Sequence, residues 1–358
     1  MTGRVAEAPE IVVERVGALG VVRLNRPGAL NALTLGMVRN VRSALEAYDR
    51  DPSIAAILLE GEGERGLCAG GDIRAIHASG LADDGLAEQF WREEFQLVAR
   101  IAAFAKPFVS FMDGIVMGGG VGVSAHAGHR VVTERTRLAM PEVGIGFFPD
   151  VGSTWLLTRA RHMGGVYLAM TGAPVGAADA VQIGLADHPV AGADLPSIRD
   201  ALAALSPNAS ASNVNELLGG FATEPQPGVV ERNRGAIDDA FRHSTVEAVV
   251  AALACDGSEF AARTAATLAA LCPTSLKVTL EILTRARGAT SLQECLVREF
   301  HVARRMFRRH DFYEGVRAAV IDKDRRPRWS PAALAEVGAD TVAALLAPDP
   351  LNPLELPA

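Results

Sequence analysis

The stretch KPFVSFMDGIVMGGGVG, residues 106–122, decides how the rest of the chain reads. Residues 107–112 form a short apolar run opened by a proline, the pattern of a buried strand. A turn follows, and the glycine run opens a small-residue helix over 119–127. The apolar length of 108–127 would suit a membrane span. Asp113 and five glycines inside that stretch argue instead for strand, turn and helix.

Reading outward, HRVVTE (129–134) is a second strand. Towards the N-terminus, residues 11–25 alternate around a turn at 17–20 and read as a hairpin. AAILLEG (55–61) is another buried strand. Helices are expected over 35–48, where Leu35, Val38, Val41 and Leu45 share one face, and over 85–104. Strand and helix units recurring in this way predict a layered, twisted α/β fold. Beyond about 195 the strand signal fades. Segments 229–242, 244–254, 258–271, 274–287 and 291–309 all read as helices, with Thr274 or Ser275 as the cap after Pro273. The expected layout is an α/β core over 1–195 and a helical region over 196–358, ending in PDPLNPLELPA, which is expected to fray.

The 358 residues are 49% hydrophobic, ample for a large core, and the net charge of −7 offers no basic field for nucleic acid. Arg304, Arg305, Arg308 and Arg309 form a local basic cluster that reads first as a solvated helix face. The four cysteines, Cys68, Cys255, Cys272 and Cys295, form no CxxC pair. They fit reduced thiols of a cytoplasmic protein rather than a disulfide frame. The start, MTGRVAEAPEIVVER, has neither an apolar core nor the Arg/Ser-rich pattern of a leader. A cytoplasmic location without membrane attachment is therefore expected.

Two glycine loops carry the first chemical signal: CAGGD (68–72) and MGGGVG (117–122). Neither is a phosphate-binding loop of the GK[ST] type, and position 123 is Val where GxGxxG would need Gly. Each follows a strand and opens a helix, so free amides and the helix dipole favour developing negative charge. Facing one point, the two loops would make an oxyanion hole. Taken singly, each is explained as well by tight strand–helix packing.

Carboxylates supply the second signal. Glu142 and Asp150 bracket the apolar loop VGIGFFP (143–149). Acids in such loops are costly unless paired or used, and their pKa values rise, which suits acid–base or nucleophilic work. Asp150 is placed equally well to cap a helix over 151–157. In WREEF (91–95) only one of Glu93 and Glu94 can face an apolar site, because neighbours on a helix diverge by about 100°; the bland reading is a solvated pair. His126 and His129 lack a third ligand, so no metal is expected. A GxSxG elbow is absent, which argues against a serine hydrolase.

Together, RLNRPGALNAL (23–33), CAGGDI (68–73), residues 106–122, MPEVGIGFFPDVG (140–152) and DFYEGVRA (311–318) resemble the enoyl-CoA hydratase/isomerase (crotonase) family over nearly the whole chain. WREEF, PTSLKVTL and HDFYEGVRAAVIDKDRRPRW look like its 3-hydroxyisobutyryl-CoA hydrolase branch. The resemblance implies a crotonase (ClpP-like) spiral of repeated ββα units with a C-terminal helical region. It implies an oxyanion hole from Gly71 and Gly119, and substrate contacts from Glu94, Gly119, Glu142 and Asp150. Ala29, Leu30, Gly71, Asp72 and Ile73 fall where the family binds CoA, which is part of the substrate, so no separate cofactor is expected. Many members form trimers or hexamers, which leaves a homo-oligomer open here.

One departure helps choose a reaction. Hydratases of the family need two glutamates to split water across a double bond. Glu142 matches the second, but the place of the first, just after the glycine run, is Gly122. Asp150 stands where typical hydratases carry glycine. The reading is a thioesterase acting on 3-hydroxyisobutyryl-CoA or its 3-hydroxypropionyl relative, in valine catabolism. Glu142 would attack the carbonyl or activate water, which the sequence leaves open. Phe147, Phe148 and Trp91 would line a pocket for a short branched acyl group. Enoyl-CoA hydration or isomerisation is the alternative; a non-catalytic binding protein on the same fold is the remote one, disfavoured by the acidic balance and the intact loops.

Overall fold

The computed structural model describes residues 8–357. Its central sheet takes β1 (Ile11–Val16), β2 (Leu19–Leu24), β3 (Ala56–Gly61), β4 (Phe108–Met112), β6 (His129–Val132) and β8 (His188–Pro189) in that spatial order. The β1–β2 hairpin is antiparallel, with Ile11 opposite Leu24, and every later pairing is parallel. Parallel strands are covered on both faces, which is why AILLEG and FVSFM read as continuous apolar runs. Successive side chains divide between two cores. Val22, Leu24, Ile57 and Leu59 join the large cluster, while Leu19, Val21, Ala56 and Leu58 point into a smaller one.

A second, shorter sheet pairs β5 (Ile115–Met117) with β7 (Arg137–Ala139) in parallel. Isolated bridges extend it on both sides, Cys68 to Val116 and Leu138 to Val175. This layer makes the fold a spiral of ββα units: β4, β5 and α4 (Gly119–Ala125) form one, and β6, β7 and α5 (Ser153–Leu157) another. The 108–127 stretch is thus strand, turn, strand and helix. The sequence reading missed β5 and β7, which are only three residues each.

Helices α1 (Leu35–Arg50), α2 (Ile73–Ala82) and α3 (Leu86–Ala102) pack over the N-terminal half. After α6 (Gly164–Thr171), α7 (Ala177–Gln182) and β8, the chain is helical: α8 (Leu195–Ala203), α9 (Ala211–Gly219), α10 (Val229–Arg232), α11 (Arg234–Phe241), α12 (Val246–Asp256), α13 (Glu259–Ala270), α14 (Pro273–Ala286), α15 (Leu292–Met306), α16 (His310–Val316) and α17 (Ala339–Leu345). Ile198 and Leu202 of α8, with Val214 and Leu218 of α9, cover the smaller core. The large core runs from Ile11 to Leu354, so both parts of the chain share it.

Three local expectations change. Neither Thr274 nor Ser275 caps α14: Cys272 holds the cap position, Pro273 is the first helical residue, and both hydroxyls are fully buried. The described part of the C-terminal tail is docked on α3: Arg92 and Gln96 donate to the carbonyls of Pro353 and Glu355 at 2.6 and 2.8 Å, and Leu354 is buried. Arg304 and Arg305 are not a solvated face either. Arg304 pairs with Glu88 at 2.9 Å, and Arg305 donates to the Leu345 carbonyl at 3.2 Å.

Candidate active site

The second sheet brings the two glycine loops together. Its parallel strands end side by side, since Cys68 donates to Ile115 at 3.1 Å, Met117 to Cys68 at 2.9 Å, and Gly118 to Ala139 at 3.3 Å. The residues just past these ends are Gly70-Gly71, Gly118-Gly119 and Pro141-Glu142. The carboxyl edge of parallel strands is where α/β folds bind ligands. Among the described residues the amides of Gly71 and Gly119 donate to no protein acceptor. A Cβ on Gly119 would lie 3.2 Å from the Gly71 nitrogen, so the two glycines lie side by side. Gly119 is the first residue of α4, which adds the positive end of the helix dipole.

Three carboxyls close on that pair of glycines. Glu94 is reached from α3, whose apolar stripe of Phe90, Trp91, Phe95 and Val98 is buried. Glu93, its neighbour, points away and pairs with Arg39 at 2.6 Å. Glu142 opens a 3-10 turn, Glu142–Ile145, that ends on Gly146 at φ 72°. A side chain at Gly146 would collide with the Asp311 carbonyl, so α16 fixes this loop from behind. Asp150 follows Phe147 and Phe148. Glu94, Glu142 and Asp150 are 2%, 7% and 5% exposed, which places all three in a nearly water-free cluster.

Burial dominates their electrostatics. It pushes Glu94 up to about 8, helped by the nearby Glu142 charge, and pushes Glu142 up to about 8 as well. Burial, then Glu94, Glu142 and Glu299, hold the Asp150 carboxyl well above the usual range. Glu94 Oε1 and Glu142 Oε2 have no hydrogen-bond partner among the described residues. Buried, unsatisfied oxygens are costly, and they mark where a ligand's donors would sit.

An aromatic wall stands beside the cluster. Trp91 stacks on Phe147 with centroids 5.4 Å apart, and Phe147 meets Phe148 at 4.9 Å and Phe312 at 5.7 Å. These rings pack on one another as one apolar group.

The loops expected to hold CoA also meet. Ala29 ends an exposed 3-10 turn and Leu30 is left-handed at φ 53°. The Leu30 carbonyl accepts from Ala69 at 3.0 Å, and the Leu33 carbonyl from Asp72 at 2.8 Å. Asp72 caps α2 through Ala75 N–H and pairs with Arg26 at 3.1 Å, so its carboxylate is already engaged. Ile73 begins α2.

Asp150 differs from one expectation. The helix after it begins at Ser153, and the Asp150 side chain does not cap it. The cap is Glu299 of α15, which accepts from Gly152 N–H at 2.6 Å and from Thr154 N–H at 3.1 Å. The sequence reading missed Glu299. Its signal is a lone carboxylate on the apolar stripe Leu292, Cys295, Leu296, Phe300. His126, set aside as a metal ligand, binds the Val151 carbonyl through Nε2 at 3.0 Å, while His129 bonds Asn215 at 2.9 Å.

Comparison with known proteins bears on all of this. Residues 19–346 match the enoyl-CoA hydratase/isomerase family. The chain is 43% identical over 333 residues to the mitochondrial 3-hydroxyisobutyryl-CoA hydrolase of Danio rerio, covering 92% of this chain and 87% of that protein. It is 40% identical to the Homo sapiens protein of the same name, covering 92% and 86%. A crystal structure described as a carnitinyl-CoA dehydratase from Mycobacterium thermoresistibile superposes with a TM-score of 0.90 at 43% identity, over 96% of this chain and 98% of that one. One described as an enoyl-CoA hydratase from Rhodobacter sphaeroides gives 0.87 at 38%, over 97% and 100%. The hydrolase relatives are named as mitochondrial proteins, which overturns the expected cytoplasmic location. Unpaired cysteines do not distinguish one compartment from another. The leader reading rested partly on residues 1–7, which lie outside the described residues.

Proposed function

The chain belongs to the enoyl-CoA hydratase/isomerase family, and from that premise we propose that it is a thioester hydrolase that releases CoA from 3-hydroxyisobutyryl-CoA, a step of valine catabolism. Relatives of that name match nearly the whole chain at 40–43% identity. The observation that carries the choice of reaction is at Gly122. A Cβ there would stand 2.7 Å from Cβ of Val151, so the space into which a hydratase glutamate would grow is filled by the turn that bears Asp150. An oxyanion hole with one reacting carboxylate suits acyl transfer; adding water across an alkene needs the second acid. This weighs against the hydratase and dehydratase names carried by the two similar crystal structures.

In this reading the thioester oxygen lies between the Gly71 and Gly119 amides. As the carbonyl carbon becomes tetrahedral, they stabilise its negative charge, each donor contributing about 3–4 kcal/mol in comparable sites. Glu142 is the reacting carboxylate. Attack on the carbonyl carbon expels the CoA thiolate and gives a mixed anhydride, which water then cleaves to the free acid and Glu142. In the other route Glu142 takes a proton from water, the resulting hydroxide adds to the carbonyl, and the CoA thiolate leaves to give the acid. Both routes require ionised Glu142. Asp150 and Glu94, holding protons more readily than ordinary acids, donate to and orient the acyl hydroxyl or the attacking water. The Trp91–Phe147–Phe148 flank faces a short branched acyl chain. 3-Hydroxypropionyl-CoA differs by one methyl and would use the same groups. Direct measurement of thiol release from short acyl-CoA thioesters tests the assignment.

A further inference from the structure

The turn that carries Asp150 is an improbable one. Val151 is β-branched yet sits at φ 53°, and Gly152 follows at φ 77°. Left-handed backbone at a β-branched residue costs free energy and persists only where the surroundings impose it. Three contacts do so. The Val151 side chain fills the gap left by Gly122. Burial pushes His126 down to about 4, so the ring is neutral and its Nε2–H donates to the Val151 carbonyl. Glu299 accepts from Gly152 N–H, from Thr154 N–H and from the Thr154 hydroxyl. Glu299 is itself 0% exposed, on the inner face of α15. Asp150 contributes only its backbone carbonyl to the start of α5, accepting from Ser153 at 2.9 Å.

We infer that Glu299 is a positioning residue of the hydrolase: by capping α5 in place of Asp150, it locks the strained Val151–Gly152 turn and leaves the Asp150 carboxyl free for the acyl group. Glu299 does not touch substrate; it acts through Asp150. A buried carboxylate with three donors is otherwise hard to explain, since α5 has only five residues and a neutral cap would satisfy it. The inference rests on the proposed hydrolase function, which thiol release by the wild-type protein tests separately.

Glu299 also shapes the proton balance. The charged groups facing Asp150 are Glu94 from α3, Glu142 from the 3-10 turn and Glu299 from α15; Arg298 lies beside Glu299, and neutral His126 faces the next carbonyl. Where ionised, all three carboxylates favour the protonated form of Asp150; burial raises Glu299 itself to about 7, so it is above that pH that neutralising Glu299 lets the Asp150 proton leave more readily.

The test is Glu299→Gln, made in the wild-type protein and in an Asp150→Asn background, with thiol release followed from pH 5 to 9 and melting temperature measured on each preparation. A small misplacement of a reacting group typically costs tenfold or more, so kcat is expected to fall about tenfold with KM nearly unchanged. The limb of the pH profile that reports Asp150 should move to lower pH. In the Asp150→Asn background the same change should add no further loss, as residues acting through one another are not additive. An equal loss in both backgrounds, or an unchanged kcat and profile, overturns the inference. Thr154→Val removes one of the three donors and leaves the core charge in place, so it serves if Glu299→Gln does not fold. Its expected several-fold loss should likewise vanish in the Asp150→Asn background, and its persistence there would count against Glu299.

Discussion

Glu94 Oε1 occupies the space into which a side chain on Gly119 would grow; a Cβ there would overlap it and stand 3.2 Å from the Gly71 nitrogen. The carboxyl and both amides therefore share one small volume. Because the overlapping atom is the end of a side chain, Gly119→Ala should fold by displacing Glu94. The residue 119 amide is kept, but the new Cβ crowds the Gly71 amide and pushes Glu94 aside, so thiol release should fall by about tenfold or more in kcat/KM, the scale of misplacing a reacting group. The neighbouring Gly120→Ala is a contrast, since its Cβ would strike the Cys68 backbone. It should lower melting temperature first. Side-by-side melting curves and rates for the two variants check this pair of outcomes.

Glu142→Gln keeps the shape of the side chain and removes its charge. Positioned acid–base groups supply on the order of 10² or more in rate, so kcat should drop by at least that. Melting temperature at pH 8 should hold or rise, because an ionised carboxyl buried without a partner is unfavourable. Normal turnover in a folded variant would take Glu142 out of the mechanism.

Stability should depend on pH in a defined direction. Glu94 and Glu142 sit at about 8 in the folded protein, above the ordinary value of 4.5. Between those values the native state binds more protons than the unfolded chain, so stability falls as pH rises. The contribution is fully present below about 4.5 and lost as pH climbs through about 8. The measurement is melting temperature across pH 5 to 9. Glu94→Gln should flatten the decline, and a wild-type melting temperature rising through this window would contradict the burial of these acids.

Much of this site could be read before the fold was known. The glycine loops, Glu142 and Asp150 announced themselves because polar or glycine residues interrupt apolar runs. The choice between Glu93 and Glu94 could not be made from spacing alone; it depends on which side of α3 meets the glycine loops and which meets Arg39. Strands β5 and β7 escaped because three residues carry too little periodicity, yet they align Gly71, Gly119 and Glu142. Glu299 lies 149 residues beyond Asp150 in the chain, and no local pattern links them. The tail docked on α3 was hidden for the same reason: proline-rich ends read as loose unless their tertiary partner is known.

Asp150→Asn separates catalysis from capping. The structure gives the cap to Glu299, so the variant should melt within a few degrees of wild type. Its rate should fall steeply, since an amide can donate a hydrogen bond but cannot give up or take up a proton as the Asp150 carboxyl can. Rate and melting temperature on one preparation decide it; a rate that survives would leave Asp150 a structural residue.

The central claim is the reaction itself. Purified protein is given 3-hydroxyisobutyryl-CoA and, in parallel, crotonyl-CoA, with free thiol and loss of the enoyl chromophore followed together. The hydrolase account predicts rapid CoA release from the hydroxyacyl thioester and little change in crotonyl-CoA, because Gly122 offers no second acid and Val151 fills its place. Fast hydration of crotonyl-CoA with no thiol released from 3-hydroxyisobutyryl-CoA would contradict it.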